Sequence, residues 1–164
     1  MLTQQILLNE LEYKDGCLYW KTSRKGTKAG AIAGSKTKSG HLHLQLNNKY
    51  MYVHRAIFLM HHGYLPKIVD HIDGNPQNNK IENLREANAS QNCFNRKYTN
   101  SASGYKGITW SRQDKRWAPQ IQAYGKKIYL GKFKNLEDAI KIYQQAVNMH
   151  HGDYKYLQKN GEMD

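Results

Sequence analysis

The chain has 164 residues, and its 25 Lys and Arg against 13 Asp and Glu give a formal charge of +12. The length fits one ordinary domain or two small ones, and the charge favours an anionic partner, either nucleic acid or an acidic membrane surface. The longest apolar runs are far too short for a bilayer, and the N-terminal MLTQQILLNELEYKDG carries acids where a signal peptide carries Lys or Arg, so a soluble cytoplasmic protein with no membrane partner is expected.

Cys17 and Cys93 stand alone, without a C-x-x-C neighbour, and give no support to a disulfide framework or a structural zinc site. Residues 21–49 hold seven Lys or Arg and no acid among many Gly, Ser and Thr, which predicts a mobile basic loop over KTSRKGTKAGAIAGSKTKSG. The alternation in HLHLQL then predicts a half-buried strand, NNK a turn, and YMYVH the returning strand of a hairpin. RAIFLMHH, residues 55–62, predicts a short helix ended by Gly63 and Pro66.

Ile68 and Val69 are strand formers leading into Asp70 and His71. DGNPQNN follows as a polar loop, NLRE as a second strand, and Asn88 with Gln91 as a helix start that carries Asn92 in its first turn and runs to about Lys97. VDHIDGNPQNNKIENLREANASQN resembles the HNH nucleases with the ββα-metal motif, especially the phage and intron-associated homing endonucleases, and VHRAIF upstream resembles their Val-His-Arg segment. The resemblance implies His71 as general base, Asn83 as the amide that orients it, and Asp70 and Asn92 as metal ligands.

Phosphodiester hydrolysis asks for the same residue types. It needs a water deprotonated near neutral pH, which suits an imidazole held in one tautomer, and a divalent ion to stabilise the developing charge. A carboxylate and an amide oxygen favour Mg2+, with Mn2+ as the alternative, over zinc. Asn75, Asn78 and Asn79 are read as loop geometry, His54 as packing and Arg55 as a phosphate contact. The pairs His61-His62 and His150-His151 point in different directions on predicted helices, and His41 and His43 share a strand face near DNA.

Residues 96–134 form a second basic stretch, ten Lys or Arg against the single acid Asp114, with Tyr and Trp between the charges. GYKGITW, RWAPQIQAY and KKIYLGKF predict three strands, and NLEDAIKIYQQAVNMHH a helix with Asn135 as N-cap. The landmarks YKGI, RWAPQI, YLGKF and EDAIKIYQQAV resemble the APETALA-type DNA-binding domain of plant ethylene-response factors, in which the sheet enters the major groove. That likeness implies DNA contacts from Lys106, Thr109, Ser111, Arg116, Gln120, Gln122, Lys127 and Tyr129.

The expected architecture is α+β. An HNH nuclease domain with its hairpin and basic loop spans residues 1–97, a linker 98–103, and the sheet-and-helix domain 104–164. The expected activity is site-directed, homing-type cleavage of double-stranded DNA by a monomer or weak dimer. The alternative is a DNA-binding regulator that keeps an inactive HNH frame.

Overall fold

In the computed structural model, which describes residues 2–95 and 103–152, the helix expected from Arg55 begins two residues earlier. Val53 and His54 open helix α2, Val53–His62, rather than ending a strand. Val53 is a natural strand residue, but burying Val53, Ala56, Ile57, Phe58, Leu59 and Met60 together requires helical spacing, and that packing overrides local preference. Gly63 ends the helix in the left-handed region at φ 75°, its N–H bonded to Leu59 O at 3.0 Å.

The fold is mixed α+β, with several small antiparallel sheets, and the chain divides into two compact units, Met1–Asn88 and Ala89–Asp164. This division falls before the expected helix around Asn92. The expected linker lies outside the described residues except for Ser103.

In the first unit, helix α1, Gln4–Glu10, is capped by Thr3, whose hydroxyl accepts from Ile6 N. Strands β1, Leu11–Lys14, and β2, Cys17–Trp20, pair antiparallel around Asp15 and Gly16, both at positive φ. Strands β3, Ser35–Lys36, β4, Leu42–Leu46, and β5, Lys49–Tyr52, form a second sheet in that order. The β4–β5 turn places Asn47 and Asn48 at φ 51° and 57°, the geometry a tight hairpin requires. Strands β6, Ile68–His71, and β7, Leu84–Ala87, make a two-stranded sheet linked by a long loop and the 3-10 turn Ile81–Asn83. Helix α2 lies against β4 to β7, and its apolar side meets Leu7, Leu11, Leu18, Leu44 and Leu46 in one core.

The basic segment expected as a mobile loop is tied down at several points. Arg24 lies 3.5 Å over the Trp20 ring and pairs with Glu10 at 2.7 Å. Tyr19 bridges Ile32, Ala33 is buried, and β3 pairs with β4. These partners are distant in sequence, which is why the loop composition alone did not reveal them.

The second unit contains helix α3, Ala89–Phe94, strands β8, Ile108–Ser111, β9, Arg116–Ala123, and β10, Lys126–Tyr129, and helix α4, Leu136–His151. Strand β9 is central, and α4 packs on it through Ala146 and Val147 against Ile121. Asn135 occupies the α4 N-cap position, though its side chain makes no capping bond. Phe94 of α3 stacks on His151, ring centroids 3.8 Å apart.

Candidate active site and nucleic-acid interface

Strand β6 ends on three buried residues, Val69, Asp70 and His71, and β7 holds it in register with Asp70 opposite Arg85 and His71 opposite Leu84. Burying a carboxylate requires a cation or several donors. The Arg85 guanidinium supplies the cation, with Nε donating to Asp70 Oδ2 at 3.0 Å and Nη2 at 3.0 Å from the same oxygen.

His71 Nε2 lies 2.9 Å from Asn79 Oδ1, a contact between side chains only 6% and 2% exposed. The Asn79 amide nitrogen faces the Gln77 carbonyl, which leaves its oxygen toward the imidazole. With Nε2–H donating to that oxygen, Nδ1 is the nitrogen that carries the lone pair in the neutral form of the ring.

The expected orienting residue, Asn83, does a different job. Its oxygen accepts from Asp73 N at 3.1 Å, and its amide donates to Asp73 Oδ1 at 2.9 Å and to the Asn78 carbonyl at 2.7 Å. Asp73 also accepts from Asn75 N and from the Asn78 amide. Burial pushes the Asp73 carboxyl up, but the donors from Asn75, Asn78 and Asn83 outweigh it and hold the group below its ordinary value. Asn83 therefore closes the loop, whereas Asn79, read from sequence as loop geometry, turns inward to the imidazole. The physical reason is hydrogen bonding: Asn83 lies at the end of the 3-10 turn, where Asp73 and Asn78 already use both ends of its amide.

Two further imidazoles meet His71. His54, from α2, has its ring centroid 4.9 Å away, and His41, just before β4, is 5.9 Å away. Burial first, then the neighbouring His71, His41 and Arg55 charges, push the His54 pKa down to about 3, and its Nδ1 is buried without a hydrogen-bond partner among the described residues. His54 is thus a neutral packing ring. Burial and His71 lower the His41 pKa in the same direction, against the hydrogen bond from Ser39. The convergence of His41 on His71 was not visible in the sequence, where His41 appeared only as a hairpin position.

Arg55, expected at a phosphate, donates to the Pro66 and Lys67 carbonyls at 3.1 Å each and ties the first turn of α2 to the approach of β6. Asn92 lies half-buried on α3 in the second unit. No group of three or more His, Cys, Asp or Glu is arranged to hold a metal ion among the described residues. The donors present still fit a hard cation. The Asp70 carboxylate is an oxygen donor of the kind a hard cation such as Mg2+ takes, with one of its oxygens engaged by Arg85 and the rest of the ion's shell left to water and phosphate.

In the second unit the register sets Gln122 opposite Lys127, Gln120 opposite Tyr129, Ala118 opposite Thr109 and Arg116 opposite Ser111. Cross-strand partners share a face, so these side chains stand together, while Pro119, Ile121 and Ala123 turn to the buried side. Tyr129 is 74% exposed, and Gln122 and Lys127 are exposed beside it. Ser111 instead bonds Asp114, and Thr109 lies 3.4 Å from the Ala118 carbonyl. Lys106 leaves this group: its ammonium donates to the Cys93 and Phe94 carbonyls at the end of α3.

A protein-family model described as HNH endonuclease matches residues 51–93. Protein 3.8 of Escherichia phage T7 is 35% identical over 100 residues, which is 59% of this chain and 83% of that protein. No solved structure gives a significant match. No helix among the described residues is long and apolar enough to cross a membrane.

Proposed function

The chain belongs to the HNH endonuclease family, with residues 51–93 as the matching domain, and we propose that it is a site-directed DNA endonuclease of the homing type, hydrolysing phosphodiester bonds with His71 as general base. The observation that carries this reading is the buried His71–Asn79 pair beside Asp70 at the end of β6. An ordinary surface turn has no use for an imidazole held in one tautomer next to a buried carboxylate.

In this reading His71 Nδ1 takes a proton from a water as its oxygen attacks phosphorus, the bond from phosphorus to the 3′ oxygen breaks, and that oxygen takes a proton from solvent, which leaves a 5′ phosphate and a 3′ hydroxyl. Asn79 holds the ring and its tautomer through the attack. A divalent cation, Mg2+ by preference and Mn2+ as alternative, would be held through Asp70 and would neutralise charge on the phosphate and the departing oxygen. Arg85 fixes the direction of the Asp70 carboxylate through the contacts of its Nε and Nη2 with Oδ2. The outer face of the β8–β10 sheet, which resembles an APETALA-type domain, is proposed to choose the site, with Gln120 and Gln122 at base edges and Arg116, Lys127 and Tyr129 at the backbone or sugar.

The test is cleavage of supercoiled and linear duplex DNA in Mg2+, Mn2+ or EDTA. His71→Ala abolishes metal-dependent cleavage and leaves DNA affinity within a few-fold. Cleavage that survives in His71→Ala refutes the role of the base. Binding without cleavage by the wild-type chain on every substrate makes the protein a DNA-binding regulator instead.

A further inference from the structure

In a strand, alternate side chains share a face, so His41, His43 and Gln45 of the β4 segment stand on the side opposite Leu42, Leu44 and Leu46. The register sets His43 opposite Tyr52 and Gln45 opposite Tyr50. The leucine side forms the core, and the other side is turned outward, with Tyr50 69% and Tyr52 44% exposed. The rings on this side meet in two groups. Tyr50 meets His43 at 5.8 Å, Tyr52 meets His41 at 5.6 Å, and His41 meets His71 at 5.9 Å. Thr37, His43, Tyr50, Met51 and Tyr52 line a shallow hollow of about 320 Å3, roomy enough for a nucleobase.

The sequence that builds this face is one-sided in charge. Residues 16–69 contain nine Lys or Arg and no Asp or Glu, and Lys36, Lys38 and Lys49 are exposed at the ends of the three strands. Aromatic faces between lysines are the arrangement that takes unpaired nucleic acid, because each base has a π-face to stack and each phosphate a cation to meet. A base still in its duplex stack offers only its edges. Flat exposed rings gain from DNA mainly where bases have left the stack.

We propose that the outer face of the β3–β4–β5 sheet is a stacking platform for an unpaired stretch of the DNA strand, with a base seated on Tyr50 and Tyr52 and the strand led across His41 to His71. The platform makes locally opened DNA the favoured substrate and complements the base-edge contacts proposed for the second unit. This inference rests on the endonuclease reading for the identity of the strand and for the role of His71 at its end. The binding itself requires no catalysis.

The experiment uses the full chain in EDTA, where cleavage plays no part, and two duplexes of the same sequence, one fully paired and one with a short internal bubble. The bubble carries a fluorescent adenine analogue whose emission is quenched on stacking. The wild-type chain is expected to bind the bubble about five- to a hundredfold more tightly than the paired duplex and to quench the analogue. Tyr50→Ala and Tyr52→Ala each lower this ratio and the quenching, while Tyr50→Phe and Tyr52→Phe keep both because the rings remain. Using a ratio cancels whatever duplex affinity the second unit adds. Equal affinity for the two duplexes, a bubble preference that survives the double alanine variant, or preference for single-stranded RNA over the DNA bubble would each overturn the proposal. Failure to cleave DNA in Mg2+, with the bubble preference intact, refutes the endonuclease reading alone and leaves the platform standing.

Discussion

Replacing Asn79 with alanine removes the acceptor 2.9 Å from His71 Nε2 and leaves a donor in a place where the imidazole is only 6% exposed. A buried donor without its partner costs about 1–3 kcal/mol. The ring escapes that cost by turning or by moving its proton to Nδ1, and either change withdraws the lone pair from the attacking water. Loss of a partner that orients a catalytic group costs roughly 10–100-fold in activity, which is about 1.4–2.8 kcal/mol at 1.4 kcal/mol per tenfold. We therefore expect Asn79→Ala to lower kcat by that factor, with KM and DNA affinity changed only a few-fold, in a steady-state nicking assay. Asn83→Ala serves as the contrast. It breaks bonds to Asp73 and Asn78, so its main effect should be a lower melting temperature. A wild-type kcat for Asn79→Ala, together with a large loss of kcat in folded Asn83→Ala, would refute the argument and return the orienting role to Asn83.

Asp70→Asn should lose stimulation by Mg2+ and match the background of the wild-type chain in EDTA; a variant that still responds to Mg2+ would move the ligand role elsewhere. His54 should make the first unit acid-sensitive, because its pKa is about 3 when folded against an ordinary 6.5. Its contribution is complete above pH 6.5 and is lost as the pH falls toward 3, by up to about 5 kcal/mol. Urea denaturation across that range should show the slope, and a His54→Phe variant should flatten it. Gly107→Ala should destabilise the second unit by roughly 2–4 kcal/mol, since Gly107 has φ +73° and an added Cβ would lie 2.6 Å from the Gln120 carbonyl oxygen and strike the Tyr143 ring. An unchanged melting temperature would contradict it.

How much was legible in the sequence follows the range of the forces involved. The β4–β5 hairpin, the Ile68–His71 strand and the α4 stripe depend on alternation, helical spacing and turn residues, and those are local. The Asp15-Gly16 turn and the Thr3 cap, which set α1, β1 and β2, are equally local signals. Other features depend on contacts remote in sequence. Arg24 is ordered by Glu10 and Trp20, Lys106 by the end of α3, and His151 by Phe94 and the Gln122 carbonyl. Spacing within an asparagine-rich loop could not reveal which amide turns toward His71. That choice depends on Asp73, whose two oxygens gather Asn75, Asn78 and Asn83 and leave Asn79 to face inward.

The same loop bears on the order in which the unit folds. Every partner of Asp73 in this loop lies within ten residues of it, so closing the β6–β7 hairpin costs little chain entropy and belongs to events of about 1–10 μs. The bond from Ile81 N to the Tyr13 hydroxyl spans 68 residues and must wait for a far larger closure. Substitutions at Asp73 should therefore slow folding, and those at Tyr13 should mainly speed unfolding. The hairpin that carries Asp70 and His71 would then serve as the template on which the core around α2 assembles.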